Sequence, residues 1–371
     1  MAPLVLMNQA VAETKSDWNS PSNYLLCDGS PAHRSGAELA GRLLLIMATG
    51  GLAGPGEKAD ASKRATGAAG VKACDDAISR ETDPVRKVQL TLARSVHHLE
   101  ADEYDAALLD ARNAPSEAGP AANDIGFRHS LLLSALELQA AALVRLGKPA
   151  EAQAVALEMA AASPYDTIAQ ERAAIYMSPD GAMSLQKRAY YDHLSRIWTK
   201  GLMIKGVAEE WAGDYLAAAA DYEAFVDLRY GFVADKQNLV PEVAVLAQRA
   251  VALAMAGKTA EADAVAADTR KSLDALIASG KAMNFTEIAT TSQELLDFEA
   301  IISQARSGKM SQARLLFAGR SRWLTPTAAS VADLSALLRK GVPASDLTGP
   351  LAKEPAAIRA EYLASWLGGI A

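Results

Sequence analysis

The sequence predicts an all-α protein, and three observations carry this prediction. Apolar residues recur at helical spacing from Glu38 to the end of the chain, whereas sustained alternation of β-branched residues is nearly absent. Alanine, the best helix former, is abundant. A short glycine-centred motif also recurs along the chain and is typical of tight turns between helices.

Composition and charge exclude several classes of protein. The 371 residues are 50% hydrophobic and 22% charged, which is too apolar for a disordered chain. The net charge of −7 argues against a nucleic-acid partner, because such binding neutralises phosphates with Lys and Arg. The most apolar run, 43–48, is far shorter than the roughly 20 residues that a membrane span needs. We therefore expect a globular chain with no membrane span.

Residues 1–12 are expected to be the remnant of a signal peptide. Residues 2–7 form a short apolar run, and the Ala-Val-Ala of residues 10–12 fits the pattern that signal peptidase reads. The basic start and the longer apolar core of a complete signal are missing, which fits a natural signal that begins upstream of Met1. An ordinary frayed N-terminus is the alternative. The expected location is the periplasm.

Residues 13–84 are expected to form an irregular N-terminal segment with helices, held by a disulfide. The chain has two cysteines, Cys27 and Cys74, and an even count in an exported protein suggests one bridge. The loop-entropy model gives such a bridge about 4 kcal/mol. Two buried free thiols are the alternative. A zinc site is not expected, because a second Cys pair and a nearby His pair at ligand spacing are both missing.

Residues 85–330 contain the recurring motif. In its clearest copy Gly147 is followed by a polar residue and then, five positions after the glycine, by Ala152. The glycine can end a first helix in the left-handed conformation, and the alanine is small because it faces that helix where the two cross. The motif recurs around Gly213, Gly257 and Gly308, and more weakly around Asp102.

Small residues also precede the turns. Seven positions before the glycine stand Ala140, Gly206 and Ala250, whereas Ile301 departs from the rule in the last copy. A close crossing of two helices at each turn requires such small side chains. The sequence therefore predicts about five helical hairpins.

The motif resembles the tetratricopeptide repeat (TPR) family of helix–turn–helix units. The clearest copy matches the family at Gly147, Ala152, Ala156 and Pro164, with Ala140 in the preceding helix. The next copy along the chain matches at Gly206, Gly213, Tyr215, Ala218, Tyr222 and Phe225. The glycines are spaced irregularly rather than by about 34 residues. The resemblance implies a TPR-like α-α superhelix, or solenoid, of about five helix pairs behind the irregular N-terminal segment. An irregular all-α bundle is the alternative.

Residues 331–371 are expected to form C-terminal capping helices. Their apolar residues fall at helical spacing, and a solenoid must cover its last apolar face. These residues are Leu334, Leu337, Leu338, Ile358, Tyr362 and Trp366. A partner-binding tail is the alternative.

No catalytic signature emerges from the sequence. Gly257-Lys258-Thr259 resembles the end of a phosphate-binding loop, but the hairpin motif accounts for it fully. Adjacent side chains on a helix diverge by about 100°, so neither His97-His98 nor Glu209-Glu210 suits a shared metal or paired acid–base work. Structural or solvated roles are expected for the histidines, and a solvated face for the two glutamates. We therefore expect a protein that is not an enzyme, with no metal and no cofactor.

The candidate binding residues lie in a region rich in aromatic residues, between Tyr190 and Phe232. In repeats of this kind the first helix lines the concave surface, and residues three to four apart on it face the groove. Aromatic and cationic side chains on such a wall suit peptide or sugar recognition. The candidates are Trp198, Lys200, Met203, Val207 and Trp211. Packing of this stripe against the next helix is the alternative, and aromatic stripes belong to cores more often than to sites.

The expected function is non-enzymatic. The resemblance implies a scaffold that binds a protein or peptide partner in the concave groove, and the expected export places that partner in the cell envelope. The alternative is capture of an oligosaccharide beside an outer-membrane transporter, with Trp198 and Trp211 stacking on sugar rings. The helical glycan-binding proteins of that kind usually have a lipid-attachment cysteine and are longer, and this chain has neither feature.

Overall fold

The computed structural model describes residues 21–31, 59–177, 183–231, 240–278 and 285–370. The predicted signal remnant, residues 1–12, lies outside these ranges. Within them the regular structure is helical and contains no β-strand, which confirms the predicted all-α class. The chain divides into two compact units, Met1–Ala142 and Leu143–Ala371.

The described part of the first unit contains five α-helices and most of a sixth. The helices are α1 (Asn23–Asp28), α2 (Gly67–Ile78), α3 (Pro84–Glu100), α4 (Tyr104–Glu117), α5 (Ile125–Arg128) and α6 (Leu131–Arg145). Asp83 caps α3 by accepting a hydrogen bond from the Arg86 backbone N–H at 2.8 Å, just before Pro84 at the first helical position.

A disulfide joins Cys27 of α1 to Cys74 of α2, as the sequence predicts, with the two Cα atoms 4.7 Å apart. Both cysteines are fully buried against Leu90 of α3. His97 of α3 is also fully buried, and its Nε2 lies 2.7 Å from the Cys27 carbonyl oxygen. The N-terminal segment is therefore fixed to α2 and α3 covalently and by a buried histidine with a structural role.

The second unit contains the remaining helices. They are α7 (Pro149–Ala162), α8 (Thr167–Ile175), α9 (Leu185–Ile197), α10 (Lys200–Ala212), α11 (Tyr215–Gly231), α12 (Val240–Met255), α13 (Thr259–Ala278), α14 (Phe285–Arg306), α15 (Met310–Ala318), α16 (Ala328–Arg339) and α17 (Pro355–Ile370). Consecutive helices contact each other, and α12 packs against α11, α13 and α14. One large core runs through α10 to α16, with Tyr222, Phe298 and Phe317 among its largest fully buried side chains.

Five hairpin turns in the described residues share one backbone geometry. At the fourth, the Gly257 N–H donates to the Ala254 carbonyl at 3.0 Å, and the next N–H, of Lys258, donates to the Leu253 carbonyl at 2.9 Å. This pair of bonds is the Schellman motif that closes a helix on a left-handed residue. The same two bonds, with the central residue at positive φ, occur at Asp102, Gly147, Gly213 and Gly308.

The small residues around these turns are buried. The alanine five positions after the central residue has no exposed surface in any copy: Ala107, Ala152, Ala218, Ala262 and Ala313. The residue seven positions before the central residue of the turn is also buried in every copy. This residue is Ser95 in the first copy and Ile301 in the last. Gly257-Lys258-Thr259 is therefore a hairpin turn between two helices, as predicted.

The C-terminal helices pack against a helix that is far away in sequence. Besides α15 and α17, α16 contacts α10. The Tyr215 hydroxyl, at the start of α11, donates to Asp333 of α16 at 2.6 Å. Helices thus form where the capping pair was expected, and they cover part of the α10–α11 hairpin.

Candidate functional site

The predicted stripe begins with an accessible pair. Trp198 follows the last residue of α9 and is half-buried, and Lys200, the first residue of α10, is exposed. The Lys200 ammonium lies 5.8 Å from the centre of the Trp198 ring, within range of a cation–π contact. These two side chains can meet another molecule.

The rest of the stripe packs inside the protein. Met203 and Val207 are half-buried against the large core, and Trp211 is only 3% exposed. The Trp211 ring lies 5.2 Å from the ring of Tyr362, and the Arg359 guanidinium is 5.7 Å from its centre. The structure therefore places one part of the predicted stripe on the surface and covers the other part with α16 and α17.

The adjacent glutamates of α10 are buried, and the expectation of a solvated face is wrong. Glu210 has no exposed surface. Its two carboxyl oxygens accept four hydrogen bonds, from Tyr222 (2.9 Å), Gln248 (2.6 Å), Thr327 (2.8 Å) and Ser330 (3.1 Å). Burial raises the pKa of Glu210, and these hydrogen bonds oppose the rise. A fully satisfied carboxyl that joins α10, α11, α12 and the start of α16 has a structural role.

Glu209 belongs to a second buried polar cluster. The Lys205 ammonium lies 3.7 Å from Glu209 and 3.1 Å from both Asp192 and Asp221. Burial and the negative charge of Asp221 raise the pKa of Glu209 to about 8. Glu209 therefore keeps its proton at neutral pH and can donate it in a hydrogen bond to Asp221.

A groove of about 540 Å³ lies between α7, α8 and α9. Its walls are mainly small or apolar: Ala154, Leu157, Ala160, Ala161, Pro164, Ala189 and Tyr190, with the polar Gln170, Gln186 and His193 among them. The volume falls in the range of about 300–1,000 Å³ typical of ligand sites. Large apolar side chains on the same helices and their connections are exposed: Tyr165 (81%), Ile168 (62%) and Leu185 (87%).

Gln170 places an unpaired acceptor at this groove. The residue is fully buried, and its amide nitrogen donates to the carbonyl oxygens of Ala160 at 2.7 Å and Ser163 at 3.1 Å. Because both amide hydrogens are used, the orientation of the amide is fixed. The other end of the amide, Oε1, accepts no hydrogen bond from the described residues. A buried acceptor without a donor costs about 1–3 kcal/mol, which a bound N–H or O–H group would recover.

The sequence did not single out this groove. The helical spacing of its lining residues can be seen in the sequence. One face of α9 carries Gln186, Ala189, Tyr190 and His193, and one face of α7 carries Ala154, Leu157 and Ala161. Nothing in the periodicity shows that these faces line a gap rather than touch.

Among the described residues, no group of three or more His, Cys, Asp or Glu side chains is placed to hold a metal ion. None of the described helices has both the length and the apolar character to cross a membrane.

Comparison with family models, with curated proteins and with solved structures found no match for this chain.

Proposed function

We propose that the chain is a non-enzymatic, exported scaffold of TPR-like helical hairpins that binds an apolar segment of a partner protein in the groove between α7, α8 and α9. One observation carries the binding surface: an open apolar groove that contains a buried, fixed and unpaired acceptor, Gln170 Oε1. An apolar peptide segment offers what this groove lacks, because it combines side chains for the apolar walls with backbone N–H donors.

The hairpins support the TPR-like part of the proposal. Each of the five hairpin turns has the same closing hydrogen bonds, and a fully buried alanine follows five residues after its central residue. Arrays of this kind present preformed surfaces, so the scaffold loses little conformational entropy when a partner binds. The Cys27–Cys74 bridge is compatible with an oxidising compartment such as the periplasm, where the partner is proposed to lie.

The groove, rather than the Trp198–Trp211 stripe, is proposed as the main contact. Trp211 lies under α16 and α17, so a partner would have to displace them to reach it. Trp198 and Lys200 remain as accessible contacts.

A filling substitution tests the groove. Ala189→Trp puts a large side chain into the groove from an exposed position on α9, and Ala264→Trp is the matched control on the exposed face of α13. Partners are captured from envelope extract by cross-linking, identified by mass spectrometry, and then titrated as peptides by fluorescence anisotropy. We expect one apolar peptide to bind the natural protein and the control equally, and the Ala189→Trp variant at least tenfold more weakly, a change of about 1.4 kcal/mol.

Three other results would contradict this assignment. A partner that still binds the Ala189→Trp variant but is lost on Lys200→Glu would move the contact to the stripe and contradict the groove. A saturable change of tryptophan fluorescence with oligosaccharides, abolished by Trp198→Ala, would favour glycan capture. Turnover of a substrate by the purified protein would contradict both.

A further inference from the structure

A second cavity, of about 240 Å³, lies under the last helix. On one side are Trp323 and Leu324 with Pro326, just before α16, and Val331 within it; on the other side are Ile358 and Tyr362 of α17. The cavity is smaller than the roughly 300–1,000 Å³ of drug-sized sites, so it suits a molecule with one ring or a short chain. It is distinct from the α7–α9 groove and shares none of its residues.

Trp323 lines this cavity and has a buried polar group without a partner. Its indole is held in place by the rings of Phe298 at 5.1 Å and Phe317 at 5.9 Å, and by the Arg320 guanidinium at 4.8 Å. The side chain is about nine-tenths buried, and its Nε1–H meets no acceptor among the described residues. A buried donor without an acceptor is costly, so a bound acceptor is favoured over an apolar group at this position.

The charges at the cavity favour an anion. Lys353 and Glu361 both line it and neutralise each other, because the Glu361 carboxylate oxygens lie 2.7 and 2.8 Å from the Lys353 ammonium. The remaining charge is positive. Arg322 also lines the cavity, is exposed, and makes no ion pair with a described residue. A guanidinium and an indole N–H together match the two oxygens of a carboxylate.

We propose that this cavity is a binding site for a small carboxylic acid with an aromatic or short aliphatic body. The carboxylate accepts the hydrogen bond of the Trp323 indole N–H and faces Arg322, and the body of the acid lies against Val331, Ile358 and Tyr362. The site is independent of the proposed partner groove.

Binding of the acid also stabilises the packing of α17 on α16. Ile358 and Tyr362 line the cavity and at the same time belong to the contacts around Trp211. An acid that fills the cavity therefore bridges α17 to α16, and its binding protects the amides of α17 from hydrogen exchange.

The indole N–H signals report binding directly. Each of the 5 tryptophans gives one such signal in a ¹H–¹⁵N correlation spectrum, and Trp323→Phe assigns the signal of interest while it keeps a ring in the core. The probes are phenylacetate, cyclohexanecarboxylate, hexanoate and indole-3-acetate, with the neutral phenylacetamide as the control ligand. At least one of these acids is expected to shift the Trp323 signal saturably, and phenylacetamide to bind at least tenfold more weakly than phenylacetate.

Variants separate the site from general effects. Arg322→Gln is expected to raise the Kd for the acid about tenfold, which corresponds to about 1.4 kcal/mol. Lys309→Gln is the control, because it makes the same charge change at an exposed residue that does not line the cavity. It should leave the Kd for the acid unchanged. Ser365→Phe, which fills the cavity from the exposed side of α17, should abolish binding. The proposal is overturned if none of the four acids moves the Trp323 signal, if Arg322→Gln and Lys309→Gln weaken binding equally, or if phenylacetamide binds as tightly as phenylacetate.

Discussion

At the scale of single residues, Gly206 shows why one small side chain is required where two helices cross. A Cβ added to Gly206 would lie 2.6 Å from the ring of Tyr222. That ring cannot move aside easily, because Tyr222 is fully buried and its hydroxyl donates to Glu210 at 2.9 Å. The glycine sets the approach of α10 to α11.

Gly206→Ala is therefore expected to destabilise the protein, although alanine is the better helix former. Overpacking of a core costs about 1–3 kcal/mol, against a propensity gain of at most about 1 kcal/mol. Urea denaturation measures the change in the free energy of unfolding. In a double-mutant cycle, Gly206→Ala should cost much less stability in the Tyr222→Leu background than in the natural protein, because the ring that the Cβ meets is gone. An equal cost in both backgrounds would contradict the steric explanation.

The buried Glu209 gives the protein a pH-dependent stability. Its pKa is raised from an ordinary 4.5 to about 8, so the folded chain keeps a proton that the unfolded chain releases. Between these two pH values the folded state binds more protons, and the free energy of unfolding falls as the pH rises. Below about pH 4.5 Glu209 is protonated in both the folded and the unfolded state, so its contribution to stability is fully present. Above about pH 8 this contribution is lost.

Glu209→Gln keeps an N–H donor beside Asp221 and removes the titration. We expect the variant to lose less stability than the natural protein between pH 5.5 and about 8.5, measured by urea denaturation at each pH. Glu171→Gln, at an exposed residue of α8, is the control and should retain the natural pH profile. Identical profiles for the two variants would mean that Glu209 is ionised in the folded state.

At the scale of elements, the hairpin turn is the repeated unit. The same two backbone bonds close each of the five turns, whatever the side chains nearby. Glycine occupies the left-handed position in four of them, and Asp102 holds it at φ 60° in the first. A left-handed conformation costs a residue with a Cβ more than it costs glycine.

Two opposite substitutions test this account. Gly147→Ala should destabilise by about 1 kcal/mol, and through backbone conformation alone, since an added Cβ there meets nothing within 4 Å. Asp102→Gly should stabilise by up to about 1 kcal/mol, less the loss of the exposed hydrogen bond from the Tyr104 hydroxyl. Denaturation midpoints of the two variants should shift in opposite directions; a shift in the same direction would contradict a shared turn geometry.

At the scale of the whole molecule, the disulfide stabilises the first compact unit. Cys27 and Cys74 are separated by 47 residues in sequence, and a loop of this size is worth about 4 kcal/mol in the entropy model. Reduction should therefore lower hydrogen-exchange protection in residues 59–142. Residues 143–371 form the other unit and should keep their protection.

The Cys27→Ser/Cys74→Ser variant serves as the control, because reductant should not change it further. Thiol labelling of the natural protein without reductant should give no adduct in protein isolated from intact cells. Full labelling there would contradict both the bridge and the argument for export.

Much of this protein could be read from particular residues in its sequence. The helical class, the pairing of Cys27 with Cys74 and the positions of the five hairpin turns follow from local chemistry: helix propensity, cysteine count, and the need for a residue that adopts positive φ. Even Asp102, which lacks the glycine, was recognised because the alanine five residues later marks the same helix crossing.

Only the tertiary structure decided what each helix face meets. The Met203–Val207–Trp211 stripe has the same spacing whether it faces a partner or the chain itself, and here α16 and α17 cover its end from more than a hundred residues away. Glu209 and Glu210 look like solvated neighbours in the sequence, yet partners from α9, α11, α12 and α16 surround them. Local patterns fix conformation because they act within a few residues, whereas burial and cavities depend on distant segments whose approach no local spacing encodes.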